Sequence, residues 1–235
     1  GMCEYAETVV ACYPSGRGSD ETVACVISQA NGYIFVRDMK AFRDGYSDET
    51  LSSIVRMAKR YGASRLLVES NFGDGMICEL FKRHITQQQA SVVTEEIRST
   101  MRKEERIIDT LEPVLNQHKL ITDPKVWEWD YASNPNEPPE KRLEYMLGSQ
   151  WSRLTRDRNS LRHDDRIDAL AMGVQWFVDA IAQSAHKAQA MRKNLEWQAM
   201  VNAFEEHPHE ATDALVLGRS FQSLKHLGTT KVWDW

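Results

Sequence analysis

Asn31-Gly32 lies between two β-rich runs, Thr22 to Ser28 and Gly32 to Arg37, and this dipeptide is a strong signal for a two-residue hairpin. Both central residues of such a turn take positive φ, which Asn and Gly tolerate and β-branched residues resist. A third run, Thr8 to Cys12, comes earlier and ends in Tyr13-Pro14-Ser15-Gly16-Arg17-Gly18, where one Pro and two Gly force a turn. Strands one to three are therefore expected to be antiparallel neighbours.

The pattern then changes period. Ser47-Asp48-Glu49-Thr50 offers capping side chains, and Leu51, Ile54, Val55 and Ala58 fall at helical spacing up to Tyr61-Gly62. Arg65-Leu66-Leu67-Val68-Glu69 is a short apolar run closing on a carboxylate. Asn71-Phe72-Gly73-Asp74-Gly75 leads from it into a helix carrying Met76, Leu80 and Phe81. Strand, helix, strand, helix implies a parallel crossover. Ala90 to Thr94 reads as a fifth strand and Glu104 to His118 as a further helix with Ile107, Ile108, Leu111 and Leu115 on one side. Asp130 to Glu140, with three prolines and two asparagines, reads as a loop. The last core helix is expected from Asp164 to Ile181, with Ile167, Leu170, Ala171, Val174, Val178 and Ile181 as its apolar stripe. A second helical stretch, Ala182 to Glu206, and a polar tail ending Val232-Trp233-Asp234-Trp235 follow. The organisation expected is one α/β domain over 1–182 and a helical extension with a tail over 183–235.

Composition narrows the class. In 235 residues, 42% hydrophobic and 27% charged residues fit a folded domain rather than a disordered chain. No run approaches the roughly 18 apolar residues of a membrane span. The four cysteines, Cys3, Cys12, Cys25 and Cys78, form no CxxC pair and suggest neither zinc nor a disulfide framework. A net charge of -5 argues against gripping nucleic acid by overall charge, but Arg153, Arg156, Arg158, Arg162 and Arg166 cluster locally and are candidate DNA-binding residues.

Acids stand at the ends of expected core elements, where an α/β sheet presents side chains to a ligand: Asp20, Glu69, Asp164 and Asp165, with Asp168 close behind. Taken singly, each has a plain alternative reading as a helix cap or local ion pair. Carboxylates converging on one cleft repel unless they share cations, and oxygen-rich sites select Mg²⁺ or Mn²⁺. Two such ions about 3.5–4 Å apart would hydrolyse a phosphodiester. On an ideal helix Asp164 falls within ~60° of the stripe centre and Asp165 nearly opposite, so Asp164 is the better inward ligand, with any two of the three able to act together. His163 could assist. Gly16-Arg17-Gly18 is a turn rather than a phosphate cradle, since GxxxxGK[ST] is absent. Trp127, Trp129, Trp151 and Trp176 fit packing better than base stacking.

Four ordered motifs carry a resemblance. Pro14-Ser15-Gly16-Arg17-Gly18-x-Asp20-Glu21-Thr22, Val68-Glu69-x-Asn71-Phe72-Gly73-Asp74-Gly75-Met76, Lys103-Glu104-x-Arg106-Ile107-Ile108-Asp109-x-Leu111-Glu112-Pro113-Val114 and His163-Asp164-Asp165-Arg166-x-Asp168-Ala169-Leu170-Ala171 together resemble the C-terminal nuclease domain of the large terminase subunit of tailed bacteriophages. The resemblance implies a ribonuclease H-like mixed sheet, its first three strands antiparallel and the rest parallel, flanked by helices. It also implies a two-metal endodeoxyribonuclease that cuts concatemeric double-stranded DNA during packaging. The implied partners are double-stranded DNA, a portal protein, a small terminase subunit and an N-terminal packaging ATPase missing from this chain. The implied setting is the procapsid portal in the host cytoplasm. Glu69 would be the acid of the central strand, Asp164, Asp165 and Asp168 the helix-borne ligands, and Asp20 an auxiliary acid near the second metal.

One position departs from that pattern. The family has an aspartate where this chain has Tyr13, and a neutral phenol is a poor ligand for a hard cation. Three readings stay open at this point: an inactivated variant, compensation by Asp20 or another acid, or a weak natural cutter. A noncatalytic DNA- and portal-docking module is the alternative function. A cellular resolvase or repair nuclease of the same fold fits the long motifs less well.

Overall fold

The computed structural model describes residues 4–15, 20–70 and 75–206, with side chains through 202. Cys3, the Gly16-Arg17-Gly18 turn, Asn71 to Asp74 and the tail from 207 lie outside the described residues.

Three antiparallel strands come first: β1 (Glu7–Tyr13), β2 (Thr22–Ala30) and β3 (Tyr33–Phe42). Asn31 and Gly32 take φ of 52° and 79° in the β2–β3 turn, as the dipeptide requires. Helix α1 (Asp48–Tyr61) starts at Ser47, whose side chain accepts from the Thr50 N–H, and ends at Gly62 in the left-handed region, φ 63°. It leads into β4 (Arg65–Glu69), parallel to β1, then α2 (Met76–Gln88) and β5 (Val93–Ile97), parallel to β4. Helix α3 (Lys103–Asn116) precedes the short β6 (Leu120–Thr122), which pairs parallel with β3. The sheet order is β5-β4-β1-β2-β3-β6. Since β5 and β6 are opposite edges, α3 must cross one face of the sheet.

Alternation along the strands divides the core. Val9, Val23, Cys25, Ile27 and Leu67 pack with α3 and with α4 (Pro124–Ala132), α6 (Leu147–Arg153) and the first part of α7 (Asp165–Glu206). Val10, Cys12, Ala24, Val26, Leu66 and Val68 pack against α1 and α2 on the other face. At Gly173 the α7 backbone lies so close to the sheet that an added Cβ would stand 2.3 Å from Ile27 Cδ1 and 3.1 Å from Ala11 Cβ. Burial pushes the thiols of Cys12 and Cys25 up, consistent with two inert core cysteines.

Some boundaries differ from expectation. The region expected as one loop, Asp130 to Glu140, contains the end of α4 and the start of α5 (Pro139–Tyr145) around a shorter connection. The fifth strand lies later than expected, over Val93–Ile97. The last core helix and the second helical stretch are one helix, α7, because neither Gly nor Pro stands at the expected junction of Ile181 and Ala182.

The chain divides into two compact units, residues 1–179 and 180–235. In the second, described as helix through Glu206, Met191, Leu195 and Trp197 are largely exposed, as is Ile181, which therefore does not extend the apolar stripe. Among the described residues no helix is long and apolar enough to cross a membrane.

Candidate active site

The parallel pairing of β1 with β4 sets Cys12 opposite Val68, so the next residues along, Tyr13 and Glu69, end neighbouring strands together. The first turn of α7 brings Asp168 to the same place. Its N–H donates to the Asp164 carbonyl at 2.9 Å, which ties Asp164 to the helix start. Glu69, Asp164 and Asp168, acids from separate parts of the chain, thus converge with Tyr13.

Two cations from the first turn of α3 complete this inner pocket. Lys103 Nζ donates to Asp164 Oδ1 at 2.7 Å and to Tyr13 Oη at 2.9 Å, and pairs with Asp168 Oδ2 at 3.2 Å. Arg106 donates to Asp168 Oδ1 and lies 3.9 Å from Glu69 Oε1. Burial raises Glu69 to about 7, with the Asp168 charge adding to the rise and Arg106 and Lys103 opposing it. Burial likewise raises Asp168 against the pull of Lys103 and Arg106. Burial and Asp168 raise the Tyr13 phenol, so it stays protonated and brings no charge. Burial pulls Lys103 down, but Asp168, Tyr13 and Asp164 outweigh it and hold the ammonium charged.

A second group adjoins the helix start. One ligand atom from each of Asp20, His163 and Asp165 lies within 4.8 Å of the others. His163 Nδ1 is 3.1 Å from Asp20 Oδ1, and its ring stacks on Tyr145 with centroids 4.0 Å apart. Asp165 Oδ2 accepts the Glu21 N–H at 3.0 Å. Asp165 is also raised to about 7, by burial first and the Asp20 charge in support, with the Glu21 N–H opposing.

The expected acids therefore fall into two sets: Glu69, Asp164 and Asp168 line the inner pocket, and Asp20 and Asp165 join His163. Asp165, expected to point away from the core, is buried; the ideal helical wheel does not apply at a helix start where Asp164 precedes the first helical residue.

The arginine cluster also divides. Arg153, Arg156, Arg158 and Arg162 are exposed, with Arg156 paired to Asp109 at 2.8 Å and Arg162 to Glu144 at 3.4 Å. Arg166 is completely buried, so its place among the surface DNA-binding residues is corrected. Its Nε donates to Glu21 Oε2 at 2.8 Å, and one terminal nitrogen bonds Asp130 Oδ1 at 2.7 Å and Ser133 Oγ at 2.9 Å, fastening α7 to the chain after β1 and to α4. Sequence reasoning gave no role to Lys103 and Arg106. Their spacing of three at a helix start puts both on one face, a signal that needs the topology before it has meaning.

A family model described as "Terminase Bacteriophage T7, Ribonuclease H-like domain" matches residues 12–120, a span that holds Tyr13, Asp20, Glu69, Lys103 and Arg106. The large terminase subunit of Enterobacteria phage T3 is 37% identical over 205 residues, 87% of this chain and 34% of that protein, so the chain spans about a third of this relative. The nuclease domain of the large terminase subunit gp2 of bacterial virus Sf6 superposes with a TM-score of 0.50 at 12% identity, over 74% of this chain and 90% of that one, a likeness of fold. The human cytomegalovirus terminase nuclease domain gives 0.49 at 14% identity, over 74% and 84%. With its ribonuclease H-like mixed sheet, this chain belongs to the phage large-terminase family, over its ribonuclease H-like domain.

Proposed function

We propose that this chain is a divalent-cation-dependent DNA endonuclease that cuts concatemeric double-stranded DNA for packaging. The observation that carries the reading is the convergence of acids from β4 and the start of α7 on one end of the sheet, with the three-ligand group of Asp20, His163 and Asp165 beside them. Asp20, His163 and Asp165 fit a divalent ion: two carboxylates and one imidazole, close enough to share it, each with a fixed neighbour. When bound, such an ion supplies charge that activates a water and stabilises the leaving oxygen of a phosphodiester.

The rest falls to the chain's own groups. The Glu21 N–H orients Asp165, and Tyr145 fixes the plane of the His163 ring. Glu69, raised to about 7, can take or release a proton near neutral pH, as a general base or acid must. Exposed Arg153, Arg158 and Arg162 offer phosphate contacts that position duplex DNA without reading bases. Mg²⁺ or Mn²⁺ suits these ligands, and the portal, the small subunit and the packaging ATPase enter as partners with the same reading.

A second reading, a noncatalytic DNA- and portal-docking module, is favoured by Tyr13 and by the cations already within the inner pocket. Plasmid nicking in Mn²⁺ separates the two. The nuclease reading expects the chain to nick, and Asp165→Asn and Glu69→Ala each to lose at least about 100-fold, the scale of a lost catalytic group. Nicking that appears only in Tyr13→Asp would make the phenol the disabling feature. Duplex binding without nicking in every variant would favour the docking module.

A further inference from the structure

The inner pocket does not fit a divalent ion as it stands, because its oxygens already have a cation among them. Lys103 Nζ contacts Asp164, Tyr13 and Asp168 at 2.7, 2.9 and 3.2 Å and lies 4.6 Å from the Tyr13 ring centroid. Glu69, Asp164 and Asp168 face Lys103 and Arg106, three carboxylates against two cations. Little charge is left uncompensated to attract another ion.

We infer that Lys103 is the resident cation of the inner pocket and holds it against a divalent ion, which enters there only when the lysine side chain withdraws. The inference rests on the divalent-cation reading and adds a gate to it. Mg²⁺ binds carboxylate oxygens at about 2.0–2.1 Å, closer than any of these lysine contacts, so ion and ammonium cannot share the same oxygens in the same place. Withdrawal is physically open to this side chain. It has a flexible four-carbon stem, and about 30% of it is exposed, whereas Arg166 has no exposed side-chain surface. Tyr13 strengthens the lysine's hold: a protonated phenol accepts its hydrogen bond and adds no negative charge that would favour a doubly charged ion.

Mn²⁺ titration of the whole chain, with bound ions counted by calorimetry and by the residual electron-spin signal of free Mn²⁺, tests this. Lys103→Met is expected to gain one ion that the unaltered chain binds at least tenfold more weakly, and Lys103→Met with Glu69→Gln to lose it again. Equal ion counts and affinities in the unaltered chain and Lys103→Met would overturn the gate. Asp165→Asn reports separately on the group with Asp20 and His163: if it changes no ion count, that site fails while the lysine result stands. Lys103→Met removes a partner of buried carboxylates, so a second measurement uses the unaltered chain. Acylation of lysines by a succinimidyl ester without metal, read by mass spectrometry, is expected to be at least tenfold slower at Lys103 than at the largely exposed Lys82. Equal rates would mean that Lys103 is not held, and would also overturn the gate.

Discussion

Arg166 and Arg162 are four residues apart and identical in type, yet one is buried beneath two carboxylates and the other is about 70% exposed. Removing one partner of a buried ion pair leaves uncompensated charge and costs about 3–5 kcal/mol. Arg166→Met is therefore expected to lower the unfolding free energy by about that amount in urea titration, and Arg162→Met to shift it by less than about 1 kcal/mol. Similar losses from both would contradict the burial assignment. A charge run by itself could not have told them apart, because nothing in its spacing says which arginine meets Glu21 and Asp130. Glu69 gives a prediction of a different kind. Its ordinary value is 4.5 and the fold raises it to about 7, so the fold favours its protonated form. Its contribution to stability is thus complete below about 4.5 and is lost as pH rises through about 7. Glu69→Gln does not titrate. Its melting temperature relative to the unaltered chain, in chelator, should become more favourable from pH 5 to pH 8, and a difference flat with pH would contradict the shift.

Among the elements, α7 shows the tightest fit. Gly173 lets its backbone rest on Ile27 and Ala11 of the sheet, which sets the depth at which Asp165 and Asp168 are delivered. Alanine at an ordinary helical position would gain about 1 kcal/mol over glycine. Here overpacking prevails, and Gly173→Ala is expected to lose about 1–3 kcal/mol. Ile27→Val, which removes the methyl nearest the new Cβ, should restore part of that loss in the double variant; strict additivity would contradict the contact. Much at this scale was legible. Asn31-Gly32 marked the hairpin, and Ser47 and Gly62 bounded α1 through its caps. The short helix α5 was not, because Pro139 opens it at a position where a missing N–H costs nothing, while the prolines of Asp130 to Glu140 point to a loop; α4 opens on Pro124 in the same way. β6 has too few residues to show a period, and the edge strand β5 carries Thr94, Glu95 and Glu96 rather than an apolar run.

For the molecule as a whole, topology decides which charges meet. Because β5 and β6 sit at opposite edges of the sheet, α3 must cross its face, and its first turn carries Lys103 and Arg106 over the ends of β1 and β4. The sequence motifs could name the acids, since carboxylates at strand and helix ends are visible in one dimension. They could not show that a lysine from another crossover would neutralise those acids, or that Asp20 and Asp165 would turn toward His163 instead. On the proposed reading, the same geometry divides the expected two-ion centre into a three-ligand group that could hold a metal ion and a pocket where Lys103 already contacts the acids. Anomalous scattering from crystals soaked in Mn²⁺ tests that division most directly. The account predicts a peak bonded to Asp20, His163 and Asp165, with Lys103 still within hydrogen-bonding distance of Asp164. A peak bonded to Glu69 and Asp168 beside an undisplaced Lys103, with none at Asp20, would contradict it.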